Sequence, residues 1–150
     1  MKKIAIFGSG KGSNAENITN YFKSHRSISV KLIVTNNPNA RIINVAKKEK
    51  VNTLILDKTN PLLNQNMLKK LNINQIDFIV LAGFLLKIPP MIVNSFPNAI
   101  INIHPALLPK FGGKGMYGLN VHKAVLKNQE LVSGITIHYV NEKYDKGKII

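Results

Sequence analysis

The chain has no cysteine. Disulfides, thiolate metal sites and cysteine nucleophiles are therefore excluded, and a reducing, cytoplasmic setting is expected. A long uninterrupted apolar run is also lacking. The longest mainly apolar stretch, Ile76 to Ile92, contains Asp77, Lys87, Pro89 and Pro90, so it cannot serve as a clean spanning helix and no membrane partner is expected. The basic start is followed by only four apolar residues, Ile4 to Phe7, before a Gly/Ser/Lys loop, so no export signal is expected.

Acidic residues are scarce as well. Seven acids face 21 bases, a formal net charge of +14, which raises the question of nucleic acid. Only Arg26 and Arg41 are arginine, the lysines are scattered, and no basic stripe carries interleaved aromatics. A nucleic-acid partner is not expected. A positive field nonetheless suits small anionic ligands such as phosphates and polycarboxylates.

What is present describes a folded domain. The 45% hydrophobic and 19% charged content is that of a globular chain, and 150 residues is about one domain's worth. Short β-rich apolar runs alternate with segments of helical spacing, which predicts an α/β fold: a Rossmann-like, open, mostly parallel sheet with helices on both faces. Strands are expected at Lys3 to Phe7, Ser29 to Thr35, Val51 to Leu56, Asp77 to Ala82, Ala99 to His104 and Ser133 to Val140. Helices are expected over Asn14 to Lys23 and Arg41 to Glu49, after Pro61 with Leu62, Leu63, Met67, Leu68 and Leu71 on one face, shortly after Pro89-Pro90, and over Leu119 to Lys127.

Three features carry chemistry. The loop GSGKGSN at 8 to 14 lies between the first strand and the first helix, where glycines allow close approach and a helix N-terminus presents unpaired N–H groups to an anion. It matches neither the dinucleotide fingerprint nor the Walker loop, and a tight turn capped by Ser13 or Asn14 is compatible with the same residues. The segment NIHPALLP puts Asn102 and His104 two residues apart at the carboxyl end of a strand, so alternation turns both side chains to one face. An amide that can donate to an oxyanion beside an imidazole that can supply a proton suits carbonyl chemistry. Asp145 lies in a loop after the last strand. A carboxylate there is ordinarily solvated, but beside His104 it would favour imidazolium.

Four motifs in order, GSGKGSN, LAGFLLKIP (81 to 89), NIHPALLPKFGGKGMYG (102 to 118) and HYVNEKYDKG (138 to 147), resemble the phosphoribosylglycinamide formyltransferases, the folate-dependent family of purine synthesis. The resemblance implies transfer of the formyl group of 10-formyltetrahydrofolate, as co-substrate, to the amine of glycinamide ribonucleotide by direct attack through a tetrahedral intermediate. It implies that Gly12, Ser13 and Asn14 hold the substrate phosphate and that Leu85, Leu86, Lys87 and Ile88 meet the pteridine through backbone groups. It further implies that Asn102 binds the formyl oxygen, that His104 is the proton donor, and that Asp145 supports the protonated imidazole and assists proton transfer. No metal is expected, since His25, His122 and His138 show no ligand spacing. A monomer or homodimer is expected.

The family pattern normally continues past Lys148-Ile149-Ile150, so a single domain with its C-terminal part absent is expected. Many relatives carry an arginine where this chain has Leu86 and Lys87, and no counterpart of a second folate-contacting arginine is found around Pro61 to Gln65. The alternatives are methionyl-tRNA formyltransferase, formyltetrahydrofolate hydrolase and, from another class, a basic nucleic-acid-binding module. The first two normally carry a further domain and do not call for a phosphate cradle at Gly12 to Asn14.

Overall fold

A computed structural model describes all residues, 1 to 150. Eleven elements follow the alternation seen in the sequence: β1 Lys2–Phe7, α1 Ser13–Phe22, β2 Ile28–Thr35, α2 Ile42–Lys48, β3 Asn52–Ile55, α3 Leu63–Ile73, β4 Phe78–Leu81, α4 Pro90–Ser95, β5 Ile100–His104, α5 Leu119–Lys127 and β6 Thr136–Tyr139. The six strands form one sheet in the order β3-β2-β1-β4-β5-β6. The first five pair in parallel, and β6 runs antiparallel to β5. The α/β, Rossmann-like class is therefore the observed one. No helix is long and apolar enough to cross a membrane.

The sheet is buried on both faces, as a parallel sheet requires when its crossovers are helices. Alternation along β1 divides its side chains. Ala5 and Phe7 join Leu32, Val34, Ile79 and Ile100 in a core of 14 buried residues that includes Met67 and Leu71 of α3 and Ile92 of α4. Ile4 and Ile6 join Ile33 and Val80 in a second core of 10, with Ala15 of α1 and Ile42, Val45 and Ala46 of α2. Each strand residue thus reports its face by parity.

Element ends differ from the sequence expectations where polar turns intervene. Pro61 does not open α3. The Asn60 side chain accepts the Leu62 N–H at 2.8 Å, the helix begins at Leu63, and Leu62 is left exposed instead of joining the apolar face. Strand β6 begins at Thr136 rather than Ser133, because residues 132 to 135 are not paired. Neither Ser13 nor Asn14 caps α1: the N-cap is Gly12, without a side-chain cap bond, and Ser13 is the first helical residue. At φ 81° Gly12 is left-handed, and a Cβ there would stand 2.8 Å from the Ile42 Cα. Backbone strain and a clash with a fully buried residue add in the same direction, so Gly12→Ala is expected to lower unfolding free energy by about 2 to 4 kcal/mol. A urea melt checks this, and an unchanged midpoint would contradict it.

The chain runs outward from β1 to β3, then returns across the sheet to β4. This reversal lies between β1 and β4, whose carboxyl ends stand side by side. A crevice opens at such a switch point.

Candidate active site

An open cavity of about 860 Å³ occupies the crevice. Its lining residues include Ser13 and Asn14, Leu85 to Ile88, and Asn102, His104 and Asp145. Gly12, the N-cap of α1, packs on Ile42 and supplies the left-handed turn into that helix.

Asn102 and His104 share the face of Ile100, as parity on β5 dictates, and extend that face past the core into the crevice. The turn after His104 is fixed by Thr136, whose hydroxyl accepts the Leu108 N–H at 2.9 Å and donates to the Ala106 carbonyl at 2.7 Å. Asp145 reaches the same place from the segment after β6. Gly147 makes this return possible: a Cβ there would lie 1.6 Å from the Tyr139 carbonyl oxygen, so only glycine lets the chain fold back over β6. Tyr139 then donates its N–H to Lys148, at 2.8 Å, and Asp145 is carried over β5.

The Asp145 carboxylate is the hub. Its Oδ2 accepts the Gly113 N–H at 2.8 Å. Its Oδ1 lies 3.4 Å from Asn102 Nδ2, 3.4 Å from His138 Nε2 and 3.7 Å from His104 Nδ1. The sequence-based trio does converge, with the His104 contact at ion-pair rather than hydrogen-bond length. Asp145 itself has a positive φ of 50°, a conformation Asp tolerates better than most residues and one typical of sites held by their surroundings.

His138 was missed by the sequence reading. It is 2% exposed, lies opposite Asn102 across the β5/β6 ladder, and has its Nε2 3.2 Å from Asn102 Nδ2. A signal was available: His138 shares parity with Thr136, and a strand turned back beside β5 sets that face against Asn102 and His104. His138 Nδ1 lies 2.8 Å from the Tyr139 carbonyl, which can only accept, so Nδ1 carries a proton. In the neutral ring Nε2 then accepts from Asn102, and in the charged ring it donates to Asp145. Burial opposes the charged ring, but the Asp145 hydrogen bond, the Tyr139 carbonyl and the Asp145 charge together outweigh it and raise His138 above its ordinary value. Burial likewise pushes the Asp145 carboxyl up, while bonds from His138 and Gly113 and the two neighbouring imidazoles hold it below the usual carboxylate range.

His104 is 3% exposed, and its Nε2 donates to the Phe111 carbonyl at 2.8 Å. Delivery of that proton to a ligand requires exchange of this bond for one into the cavity. Lys87 places its ammonium 5.6 Å from the Tyr144 ring centre, bridging the 85 to 88 segment to the residue before Asp145.

The model of the formyl transferase family, "Formyl transferase", matches residues 2–150. The chain belongs to the formyl transferase family. Within it, the chain is 43% identical to the Arabidopsis thaliana protein named phosphoribosylglycinamide formyltransferase, chloroplastic, over 99% of its own length and 53% of the relative's. It is 34% identical to the Bacillus subtilis phosphoribosylglycinamide formyltransferase, covering all of this chain and 77% of that one. The crystal structure of the Bacillus halodurans phosphoribosylglycinamide formyltransferase superposes with a TM-score of 0.90 at 36% identity, over 99% of this chain and 77% of the other. The chain thus spans about half the length of the Arabidopsis relative and about three quarters of the bacterial ones.

Proposed function

We propose that this formyl transferase family member moves the formyl group of 10-formyltetrahydrofolate to the amine of 5-phosphoribosylglycinamide, a step of purine synthesis, in the cytoplasm. The observation that carries the reading is the meeting of Asn102, His104 and Asp145 in one cavity whose walls also include Ser13, Asn14 and Leu85 to Ile88. The residues lining that cavity include Lys11, Lys87, Lys114 and Lys143, a positive surround for a phosphate and a glutamate tail.

In the proposed reaction the amine nitrogen attacks the formyl carbon, a C–N bond forms and the carbonyl oxygen becomes an oxyanion. Asn102 donates an amide N–H to that oxygen, its other N–H being held by the Asp145 and His138 network. The attacking nitrogen then gives its extra proton to solvent water, His104 delivers one to N10 of the folate, the oxyanion re-forms the carbonyl, and the C–N10 bond breaks to release tetrahydrofolate. The phosphate rests on the α1 N-terminus at Ser13 and Asn14, where N–H groups have no intrahelical partner. Ser13 and Asn14 are free for that role because neither side chain caps the helix.

The test is formyl transfer from 10-formyltetrahydrofolate to glycinamide ribonucleotide by the 150-residue chain. Turnover abolished by omitting either substrate supports the reading, and binding of neither substrate overturns it. Asn102→Ala is expected to lower kcat by about 10² to 10³ with little change in either KM, because its donor counts most when negative charge has developed. An effect confined to KM would assign Asn102 to substrate binding alone.

A further inference from the structure

The loop after β1 and the loop after β4 meet at a single side chain, Ser9, which is only 7% exposed although it borders the cavity. Its N–H donates to the Gly83 carbonyl at 3.0 Å, and its hydroxyl oxygen accepts the Leu85 N–H at 2.9 Å. The hydroxyl proton goes to the side-chain oxygen of Asn36, immediately beyond β2. A hydroxyl has one proton to give, and with that proton fixed on Asn36 a lone pair is turned to Leu85. Three strand ends are therefore tied through one oxygen. The edge-to-face contact of Phe7 with Phe84, at 5.2 Å between ring centres, joins the same two segments without any polar direction.

The Leu85 N–H is engaged by this bond. Ser9 lies four and five residues before Ser13 and Asn14 along one loop, and Leu85 is the first residue of the 85 to 88 segment in the other. Ser9 thus links the loop that leads into Ser13 and Asn14 to the start of the 85 to 88 segment.

We propose that Ser9 is a positioning residue that couples the two substrate subsites, so that occupation of the phosphate end by the ribonucleotide raises affinity at the folate end, and the reverse. The proposal rests on the assignment of Ser13 and Asn14 to the phosphate and of Leu85 to Ile88 to the folate. Coupling of this kind is reciprocal by thermodynamic necessity. A residue that merely stabilises the fold would change unfolding and leave the linkage between the two ligands intact.

Calorimetric titration with tetrahydrofolate, which has no formyl group to transfer, measures this directly in the absence and in the presence of saturating glycinamide ribonucleotide. The wild-type chain is expected to bind tetrahydrofolate several-fold more tightly when the ribonucleotide is present. Ser9→Ala leaves a buried N–H without its acceptor and is expected to bind about tenfold more weakly, with the ratio between the two conditions reduced to one. Asn36→Ala, which frees the hydroxyl to rotate without removing it, is expected to reduce the ratio part of the way. A wild-type ratio of one, or a wild-type ratio retained in Ser9→Ala, overturns the coupling while leaving the assigned function intact. Should Ser9→Ala not fold, an unchanged ratio in Asn36→Ala overturns it equally. Failure of the wild-type chain to bind either ligand overturns the functional reading and the coupling with it.

Discussion

His104→Ala is expected to lower kcat for formyl transfer by about 10³, within the range associated with loss of a positioned general acid. The leaving nitrogen of the folate is a poor leaving group unless it is protonated as the C–N10 bond breaks. Within the cavity His104 ends the strand that also carries Asn102, two residues apart on one face, so under the proposed mechanism the proton donor for N10 and the donor for the formyl oxygen come from neighbouring positions of one strand. Both KM values should change little, because the ring interacts most strongly with a group that gains basicity during the reaction. Removing the ring also leaves the Phe111 carbonyl without its 2.8 Å donor, which is expected to reduce stability by about 1 to 3 kcal/mol. Single-turnover kinetics below the melting temperature of the variant separate the two effects. Wild-type kcat in His104→Ala would sink the proposed mechanism.

The second large effect is expected at Asp145, and Asp145→Asn isolates it. Asparagine tolerates the left-handed backbone at φ 50° and keeps an oxygen for the Gly113 N–H, so the local fold should persist while the charge is lost. kcat is expected to fall by about 10², because a proton arriving on either neighbouring imidazole no longer meets a carboxylate. His138 supplies a readout that does not depend on turnover. With Asp145 neutralised, burial is opposed only by the Tyr139 carbonyl, and the His138 titration should move downward from its raised position.

Stability should follow pH in the corresponding sense. The Asp145 carboxyl is lowered in the folded chain, so its contribution is present above its ordinary value of 3.8 and lost as pH falls through the folded value. His138 is raised, so its contribution is complete below its ordinary value of 6.5 and lost as pH rises through the folded value. The pair therefore stabilises most between those two ordinary values, and Asp145→Asn should flatten that maximum. Melting temperature against pH and the NMR titration of His138 check both statements. A His138 midpoint unmoved by the substitution would mean that the carboxylate does not govern that ring.

Lysine placement explains why the +14 charge was a weak guide to function. Lys48 pairs with Glu16 and Lys110 with Glu130 towards the surface, where such pairs count for little, and Lys23 is engaged with Glu49 away from the cavity. Lys11, Lys87, Lys114 and Lys143 border the cavity instead. Composition cannot distinguish the two sets, since the sign of a charge carries no information about the surface on which it lies.

Local patterns determined a good deal about this chain. The parity of Ile4 to Phe7 follows from strand geometry, as does the common face of Asn102 and His104, and helical spacing found the buried stripe of α2. The pattern of strands and helices was legible for the same reason: each element's period depends on residues close in sequence. Turn chemistry around Asn60 and the unpaired start before Thr136 were not, because there polar side chains and missing strand partners moved the boundaries.

Only the tertiary structure decided which distant residues meet. Asp145 lies 41 residues from His104, and a carboxylate in a solvated loop reads the same in sequence as one that is a hub. The antiparallel return of β6 and the closeness of Gly147 to Tyr139 put Asp145 beside His104 and brought in His138, whose isolated position had suggested no role. Ser9 likewise became more than a loop residue once β1, β2 and β4 were adjacent. Strand neighbours and chain reversals are set by packing over the whole sheet, and it is through them that a one-dimensional pattern acquires a reaction centre.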